Sequence, residues 1–349
     1  MKLTTKNILL ISPEPWDHIF VSKHHYAIHL AETTNNVFFL NPPSHKNGIE
    51  ETPFERLFVL SYKGFWRGLR FMPRFLRGVN QRRVFHLLED LAQCHFDIIW
   101  SFDNSVFYDF DLLPKDIFKI SHIVDQNQNF QFERASSTAD ICFGVIEKIV
   151  SRQATYNSNS HLVGHGVNIR SPSRKIILPG NNELKALYFG NLGMRFLDWD
   201  LMRNAGNGNN HIDFILIGSN HDKAPKNLPD NVISLPQVNS ESLVDHMFAA
   251  DVLFIFYQGS YNETYASPHK MLEYFSSGKP IVSTYLSDYD LLQDLIFMTD
   301  NKEKWVLHFD RVIKILDNEN ERINSEKRIE WAKEHTYKKR LEKIELLIQ

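Results

Sequence analysis

The chain has 349 residues, of which 43% are hydrophobic and 23% charged, a composition typical of a soluble globular protein with about two domains. Its formal net charge of −3 gives no global signature of nucleic-acid binding. The two cysteines, Cys94 and Cys142, provide no disulfide framework and no metal-ligand spacing, which is consistent with a reducing cytoplasm. No apolar run is long enough to cross a bilayer, and the apolar part of the N-terminus is too short for a signal peptide.

Short apolar runs alternate with amphipathic stretches in the first half of the chain. Strands are predicted at Ile8–Ile11, Val37–Leu40, Phe58–Leu60, Ile98–Ser101, Ile120–Val124 and Ile141–Val145, and helices at Ser22–Glu32, Arg82–Cys94 and Ala135–Ala139. Because parallel strands need crossover connections, which are usually helices, this alternation predicts a parallel α/β sheet.

A second series of alternating strands and helices follows a polar stretch, Ser171–Glu183, which is predicted to be the interdomain linker. Its strands are predicted at Leu187–Gly190, Phe214–Gly218, Val232–Leu235, Val252–Phe256, Ile281–Thr284 and Leu295–Met298, and its helices at Asp198–Ala205 and Ser240–Ala250. The charged segment from Arg311 onward is predicted to be helical.

The segment from Ser267 to Thr284 is the most informative part of the sequence. It predicts a loop, a short helix that ends near Gly278, and a buried strand. Lys270 and Glu273 are three residues apart, so they lie on one helix face near an N-terminus that favours anions. A cation that reaches phosphate, beside a carboxylate that accepts from sugar hydroxyls, suits a nucleotide-sugar.

The pattern Pro268-x-Lys270-x-x-Glu273-Tyr274, followed by Gly278-Lys279-Pro280-Ile281, resembles the donor-binding helix of GT-B glycosyltransferases. Further segments occur in the order of that family: Leu162–Asn168, Tyr188–Leu192, Phe214–Gly218, Asn227–Val232, Ala249–Val252 and Trp331–Arg340. The resemblance implies an α/β GT-B fold of two Rossmann-like domains that face each other across a cleft. The acceptor domain is expected at residues 1–170 with a C-terminal crossover helix over 328–349, and the donor domain at 171–327.

The same resemblance implies roles for donor-side residues. Glu273 would accept hydrogen bonds from the ribose hydroxyls, while Lys270 and Arg195 would bind the diphosphate beside the turn at Gly190. Because preorganised cations can stabilise the departing diphosphate, we expect neither a metal nor another cofactor. Family 4 enzymes often carry a second Glu ahead of the ribose-binding one, and here Tyr265 stands eight residues before Glu273. Inversion and retention therefore both stay open, and Tyr265, Ser267 and His269 are candidate donor contacts.

Two residues of the first domain are candidates for the catalytic base. Asp125 follows a strand in a segment that resembles inverting enzymes related to xanthan glucuronosyltransferase, and an Asp that only caps the next helix is the alternative. His18 follows the first strand, and an ordinary polar loop residue is the alternative there. Inverting transfer needs one such group to take the acceptor proton.

One segment carries information about partners. From Arg56 to Leu88 the chain has eight Lys or Arg residues and no Asp or Glu. Aromatic and aliphatic residues interleave with the cations, as in segments that lie on anionic lipid. The residues expected at a membrane or acceptor are Trp66, Arg67, Arg70, Arg74 and Arg77, within a contact over residues 63–83. A plain basic face is the alternative, and no nucleic-acid-binding motif accompanies the segment.

The sequence thus predicts an enzyme that moves a sugar from a nucleotide-sugar to a glycan or polyprenyl-linked acceptor in cell-surface polysaccharide synthesis. We expect it in the cytoplasm, with a peripheral position on the inner face of the plasma membrane. A catalytically silent GT-B relative that binds nucleotide or glycan as a partner subunit is the main alternative. A two-domain periplasmic-type binding protein, which the expected absence of a signal peptide disfavours, and a sugar-nucleotide epimerase of the same fold are further alternatives.

Overall fold

The computed structural model describes residues 2–18, 20–126, 128–261 and 267–349, apart from the side chain of Arg70. The chain forms two compact units. The first unit comprises Met1–Gly166 and Tyr337–Gln349, and the second comprises Val167–Thr336. Each unit is built around one parallel sheet, so the predicted fold class is confirmed.

The first unit has eight described strands, in the order β3-β4-β2-β1-β5-β6-β7-β8, and all pairs are parallel except β3–β4. They are β1 (Asn7–Ile11), β2 (Asn36–Leu40), β3 (Gly48–Glu51), β4 (Leu57–Ser61), β5 (Ile98–Ser101), β6 (Phe118–Ile123), β7 (Ile141–Gly144) and β8 (Ser160–Leu162). Its first helices are α1 (Ser22–Glu32), α2 (Arg74–Ala92), α3 (Phe132–Thr138) and α4 (Glu147–Ala154). The central strands carry Ile, Leu, Val and Phe on both faces, because helices cover both faces of a parallel sheet.

The described residues of the second unit form six strands in the order β11-β10-β9-β12-β13-β14, all parallel. They are β9 (Leu184–Phe189), β10 (Ile212–Gly218), β11 (Val232–Pro236), β12 (Val252–Ile255), β13 (Ile281–Thr284) and β14 (Phe297–Thr299). The described helices of this unit are α5 (Trp199–Gly208), α6 (Ser240–Ala249), α7 (Lys270–Ser277), α8 (Lys302–Ile313) and α9 (Glu319–Lys333). The last helix, α10 (Tyr337–Leu347), belongs to the first unit.

The short helix α7 is fixed in place by buried polar contacts at its C-terminus. It ends at Gly278, whose φ of +71° is a left-handed conformation that glycine adopts without strain. Arg328 of α9 is fully buried and donates to the carbonyl oxygen of Gly278 at 3.2 Å. The guanidinium also pairs with Glu321. A cation at this end complements the helix dipole, so α7 holds a defined orientation on the sheet.

Several sequence-based boundaries were wrong. Helix α2 begins at Arg74, two turns before the predicted start, because exposed Phe75 and Val79 hide the amphipathic pattern of its first turns. The crossover predicted over 328–349 is two helices, and only α10 lies in the first unit. The chain divides after Gly166 rather than after residue 170. Strands β3 and β8 bury little apolar surface and were not predicted. Helix α4 was not predicted either, although its eight residues are amphipathic.

Candidate functional site

The second sheet has a topological switch point between β9 and β12. Connections from these two central strands go to opposite sides of the sheet, which leaves a crevice at their carboxyl ends, where open α/β sheets bind ligands. Strand β9 leads into Gly190 and β12 into Phe256 and Tyr257. The donor-binding residues predicted from the sequence are therefore expected around this crevice.

Lys270, the first residue of α7, lies at that switch point. Its Nζ donates to the hydroxyl of Tyr188 at 2.9 Å and stands 4.1 Å from the centre of the Tyr188 ring and 5.4 Å from that of Tyr257. Among the described residues no carboxylate forms an ion pair with this ammonium group. Burial against the tyrosines lowers the pKa of Lys270 to about 7, although Glu273 acts in the opposite direction.

Gly190 allows the backbone to approach Lys270 closely. Its φ is +153°, and a Cβ there would clash with Lys270 Nζ and with the Tyr188 hydroxyl. The Gly190 N–H donates to the carbonyl oxygen of Ile217 at 2.9 Å, and a Cβ at Gly218 would collide with the Gly190 carbonyl. Only glycine therefore fits at either position, and the loop after β9 is held against the end of β10.

Glu273 lies on the same helix as Lys270 and remains accessible, with 37% of its side chain exposed. The Nδ1 of His269 lies 3.9 Å from Glu273 Oε1. The Ser267 hydroxyl donates to the Tyr289 hydroxyl at 2.9 Å, which fixes the approach to α7. Tyr265, also a candidate donor contact, lies outside the described residues.

Arg195 is exposed on the loop between β9 and α5 and forms no ion pair with another described residue. Its neighbour Phe196 packs 4.7 Å from Tyr257 and 4.9 Å from Tyr261 by ring centroids. This packing holds the loop against the ring that also flanks Lys270. The structure thus brings Gly190 and Lys270 into contact and keeps Arg195 on the adjacent loop.

The first sheet has its own switch point, between β1 and β5. A cavity of about 400 Å³ opens there. Its lining residues come from the segments that follow β1, β5, β6 and β8 and from the start of α1, and they include Glu14, Lys23, Asp103, Asn104, Asp125 and His165. Because open α/β sheets bind ligands at such positions, this cavity is a candidate ligand site of the first unit.

Asp125 lies at the rim of this cavity and is exposed. Its loop is fixed by Gln128, whose Oε1 accepts from the backbone N–H groups of Val124 and Asp125 at 3.1 and 3.2 Å. The Gln128 side chain also donates to the carbonyl oxygen of Phe102 at 2.7 Å, which ties the loop to the end of β5. His18 is exposed in the loop after β1 and does not line the cavity. The two predicted base candidates are therefore not in one cavity.

Sequence reasoning missed an ion pair inside the same cavity. Lys23 is 8% exposed, and its Nζ lies 2.7 Å from Glu14 Oε2. Asp103 accepts from the backbone and the hydroxyl of Ser105, both at 2.7 Å, and burial raises its pKa, with Glu14 acting in the same direction and Lys23 in the opposite one. One feature of the sequence could have indicated these cavity residues: Glu14 and Asp103 both follow predicted central strands of the sheet.

The basic segment is only partly free to meet a membrane. Arg74 pairs with Asp109 at 3.1 Å and with Asp111 at 3.0 Å, and Arg77 donates to the Tyr108 hydroxyl at 3.2 Å. Tyr108, Asp109 and Asp111 lie outside the stretch from Arg56 to Leu88 that has no Asp or Glu. Counting charges along that stretch could therefore not reveal these partners. Arg67 is exposed, and the side chain of Arg70 is outside the described part.

Exposed apolar side chains stand beside these cations. Phe71 is 79% exposed, Phe75 68%, Val79 56% and Trp66 40%. Phe75 and Val79 are four residues apart in α2, so they form one apolar ridge on its exposed face, and exposed Phe71 lies in the turn before the helix. In the described residues no helix is long and apolar enough to cross a membrane. The described residues also hold no group of three or more His, Cys, Asp or Glu that could bind a metal ion.

Comparison with known proteins finds resemblance at the level of structure alone. No protein-family model and no curated protein matches the sequence. Many solved structures are similar to this chain, and three examples match it over almost their whole length. They are a glycosyltransferase from Rickettsia africae ESF-5 (TM-score 0.71, 11% identity, 98% of both chains), the trehalose-6-phosphate synthase OtsA (0.68, 11%, 98% of this chain and 99% of that one) and the lipopolysaccharide outer core galactosyltransferase WaaB (0.63, 14%, 98% and 99%). The chain therefore has the fold of GT-B glycosyltransferases.

Proposed function

We propose that this protein is a nucleotide-sugar-dependent glycosyltransferase whose second unit binds the donor at the β9–β12 switch point. The observation that carries the proposal is Lys270, an ammonium group held between tyrosines without a carboxylate partner among the described residues. A partly desolvated cation without a partner raises the free energy of the empty site. A diphosphate placed there would supply the missing counter-charge.

The surroundings of Lys270 fit a diphosphate in three further respects. The ammonium belongs to the first residue of a helix, where backbone N–H groups favour anions. Gly190 lets the backbone of the loop after β9 lie against the ammonium, so an anion bound to Lys270 would also be close to that backbone. Accessible Glu273, one turn along the helix from Lys270, can accept from ribose hydroxyls, and charge-assisted bonds of this kind contribute about 1.5–3 kcal/mol each.

The proposed chemistry is attack of an acceptor hydroxyl on the anomeric carbon of the donor. The bond from that carbon to the diphosphate oxygen breaks, and its electron pair leaves with the nucleoside diphosphate. Lys270, with Arg195 on the adjacent loop, would stabilise the charge that develops there, as preorganised cations do. In an inverting reaction Asp125 would take the hydroxyl proton. No step in this scheme needs a metal.

Two considerations favour transfer over the alternatives. Among the similar structures named above are a glycosyltransferase and a galactosyltransferase, which supports sugar transfer rather than epimerisation. Accessible Glu273 and Lys270, which has no carboxylate partner among the described residues, keep the chemistry of a donor site, which a silent relative that binds only glycan has no need to retain. The acceptor is proposed to be a glycan or a polyprenyl-linked saccharide in surface polysaccharide synthesis.

The membrane part of the proposal rests on the apolar ridge of Phe75 and Val79 and on exposed Phe71 and Arg67 in the segment before it. Aromatic side chains insert at the lipid interface, and each nearby Lys or Arg contributes about 1 kcal/mol on an anionic surface. Because Arg74 and Arg77 have protein partners, we propose that the ridge rather than the number of cations provides most of the attachment.

The test is calorimetry of the purified protein against UDP, GDP, CMP and dTDP and their sugars. We expect one nucleotide to bind, Glu273→Ala to weaken it tenfold or more, and Glu330→Ala, an exposed carboxylate on α9, to leave it unchanged. Absence of binding to any nucleotide would refute the donor site. Binding without transfer or hydrolysis of any nucleotide-sugar would favour the silent partner subunit.

A further inference from the structure

The ammonium group at the β9–β12 switch point belongs to a larger array of hydrogen-bond donors. Lys270 Nζ donates to the Tyr188 hydroxyl at 2.9 Å, and the side chains of Tyr188 and Tyr257 hydrogen-bond to each other. Together the three groups carry five polar hydrogens, whereas only the two phenolic oxygens can accept. Their two mutual bonds use two of these hydrogens, and the described residues provide no acceptor for the others. The array therefore suits a ligand that is rich in acceptor oxygens.

Burial keeps both phenols in the donor form. Tyr188 is 1% exposed and Tyr257 4%, and burial raises the pKa of each hydroxyl well above its ordinary value. The Tyr257 backbone N–H donates to Thr284 Oγ1 at 2.9 Å, which fixes the residue at the end of β12. Donors that are held in place before a ligand arrives cost no reorganisation when it binds.

The position of the loop after β9 indicates which phenol lies beside the ligand. A Cβ at Gly190 would clash with both Lys270 Nζ and the Tyr188 hydroxyl, so these two groups lie side by side against that loop. The bond between the phenols lowers the pKa of Tyr188 and raises that of Tyr257, as expected when Tyr257 is the donor. The hydrogen of the Tyr188 hydroxyl is then left for an acceptor outside the array.

We infer that the Tyr188 hydroxyl donates directly to a diphosphate oxygen of the sugar donor, beside Lys270. The inference deepens the proposed function and rests on it. A hydroxyl that donates to an anionic oxygen forms a short, strong hydrogen bond. The phenol keeps its proton in the pH range in which Lys270 loses its own, so the diphosphate is held by one group that titrates and one that does not.

The test is a double-mutant cycle on Tyr188 and Lys270, measured by calorimetry at pH 6. The probes are UDP-glucose, GDP-mannose, dTDP-glucose and inorganic pyrophosphate. Tyr188→Phe should raise the dissociation constants of pyrophosphate and of the nucleotide-sugar that binds about tenfold or more, as for loss of a hydrogen bond to a charged group. In a Lys270→Met background it should still raise the constant of the nucleotide-sugar about threefold or more, because a direct contact does not need the lysine.

Two further variants serve as comparisons. Tyr62→Phe removes a buried hydroxyl from the first unit and should leave both constants unchanged. Tyr257→Phe removes only the bond that orients the Tyr188 hydroxyl, so it should weaken binding less than Tyr188→Phe does. A larger loss in Tyr257→Phe would assign the contact to the wrong phenol and overturn the inference.

The cycle also separates direct contact from support of the lysine. If the effect of Tyr188→Phe disappears in the Lys270→Met background, Tyr188 acts only by holding Lys270 and the inference is wrong. If Tyr188→Phe binds as Tyr62→Phe does, the inference fails while nucleotide-sugar binding by the wild type keeps the donor site. If the wild type binds none of the four probes, the donor site and the inference fail together.

Discussion

The depressed pKa of Lys270 makes donor affinity depend on pH in a defined direction. In the free protein this pKa is about 7 instead of its ordinary 10.5, because the ammonium is desolvated between Tyr188 and Tyr257. A bound diphosphate would stabilise the ammonium form and raise the pKa again. Binding above pH 7 must then take up a proton, so affinity should fall as the pH rises.

The size of the effect follows from the fraction of protein that carries the ammonium. With a pKa of about 7, roughly nine-tenths is protonated at pH 6 and roughly one-tenth at pH 8, so the apparent dissociation constant should rise about tenfold between them. Another factor of about ten should follow by pH 9. A nucleotide-sugar is the proper probe, because its diphosphate has no terminal phosphate that titrates near neutrality.

The assay is calorimetry of the nucleotide-sugar between pH 6 and 9 in buffers of different ionisation enthalpy, which also counts the protons taken up. Lys270→Met should bind weakly at every pH and without proton uptake. Lys279→Met removes a lysine beyond the other end of α7 and should keep the wild-type slope. His269→Gln should keep it as well. A wild-type slope equal to that of Lys270→Met would refute the reasoning.

Lys270 also makes the free energy of unfolding depend on pH, and this dependence has the opposite sign to that of donor affinity. Between pH 7 and 10.5 the unfolded chain binds the Lys270 proton and the folded chain largely does not, so this group makes the free protein more stable as the pH rises through that range. Below pH 7 both states are protonated, and the burial penalty of the ammonium is present in full. The difference in thermal stability between Lys270→Met and wild type should therefore be largest below pH 7 and shrink above it.

Three further predictions follow from named contacts. Glu273→Gln should weaken nucleoside binding more than binding of inorganic pyrophosphate, measured by calorimetry, because the carboxylate is assigned to the ribose; equal losses for both ligands would exclude that assignment. Arg328→Ala should lower the free energy of unfolding by about 3–5 kcal/mol in chemical denaturation, since it leaves a buried carboxylate unpaired, whereas Lys333→Ala removes only an exposed pair and should change it by less than about 1 kcal/mol. Phe75→Ser should reduce sedimentation with vesicles containing phosphatidylserine several-fold and Leu291→Ser, an exposed apolar residue of the other unit, should not; equal sedimentation of both variants would argue against the ridge.

Most of the fold could be predicted from local pattern. Helix α1 and strands β5 and β13 have the bounds that apolar periodicity gives, because buried faces of regular elements constrain residue type at each position. The start of α2 could not be predicted, since Phe75 and Val79 face solvent where a core helix would present polar residues. Elements that bury little apolar surface, such as β3 and β8, leave no such pattern.

The features of the candidate sites likewise divide into those that local sequence patterns could predict and those that depend on residues far apart in the sequence. Lys270, Glu273 and Gly190 could be chosen from the sequence because helix position and turn chemistry are local properties, and the structure shows that Lys270 and Gly190 meet. Charge partners are not local. The pairing of Arg74 with Asp109 joins residues 35 apart and reduces the basic character that the sequence suggested.

The sequence by itself determined two parallel α/β units and a helix that presents a lysine and a glutamate from its first turn, because periodicity, capping and helical spacing act over a few residues. Only the tertiary structure decided that this lysine lies between two tyrosines, and that Glu14, Lys23 and Asn104 line one cavity. The order of strands in each sheet brings distant loops to one edge, and burial there sets the charge and pKa of the groups that meet.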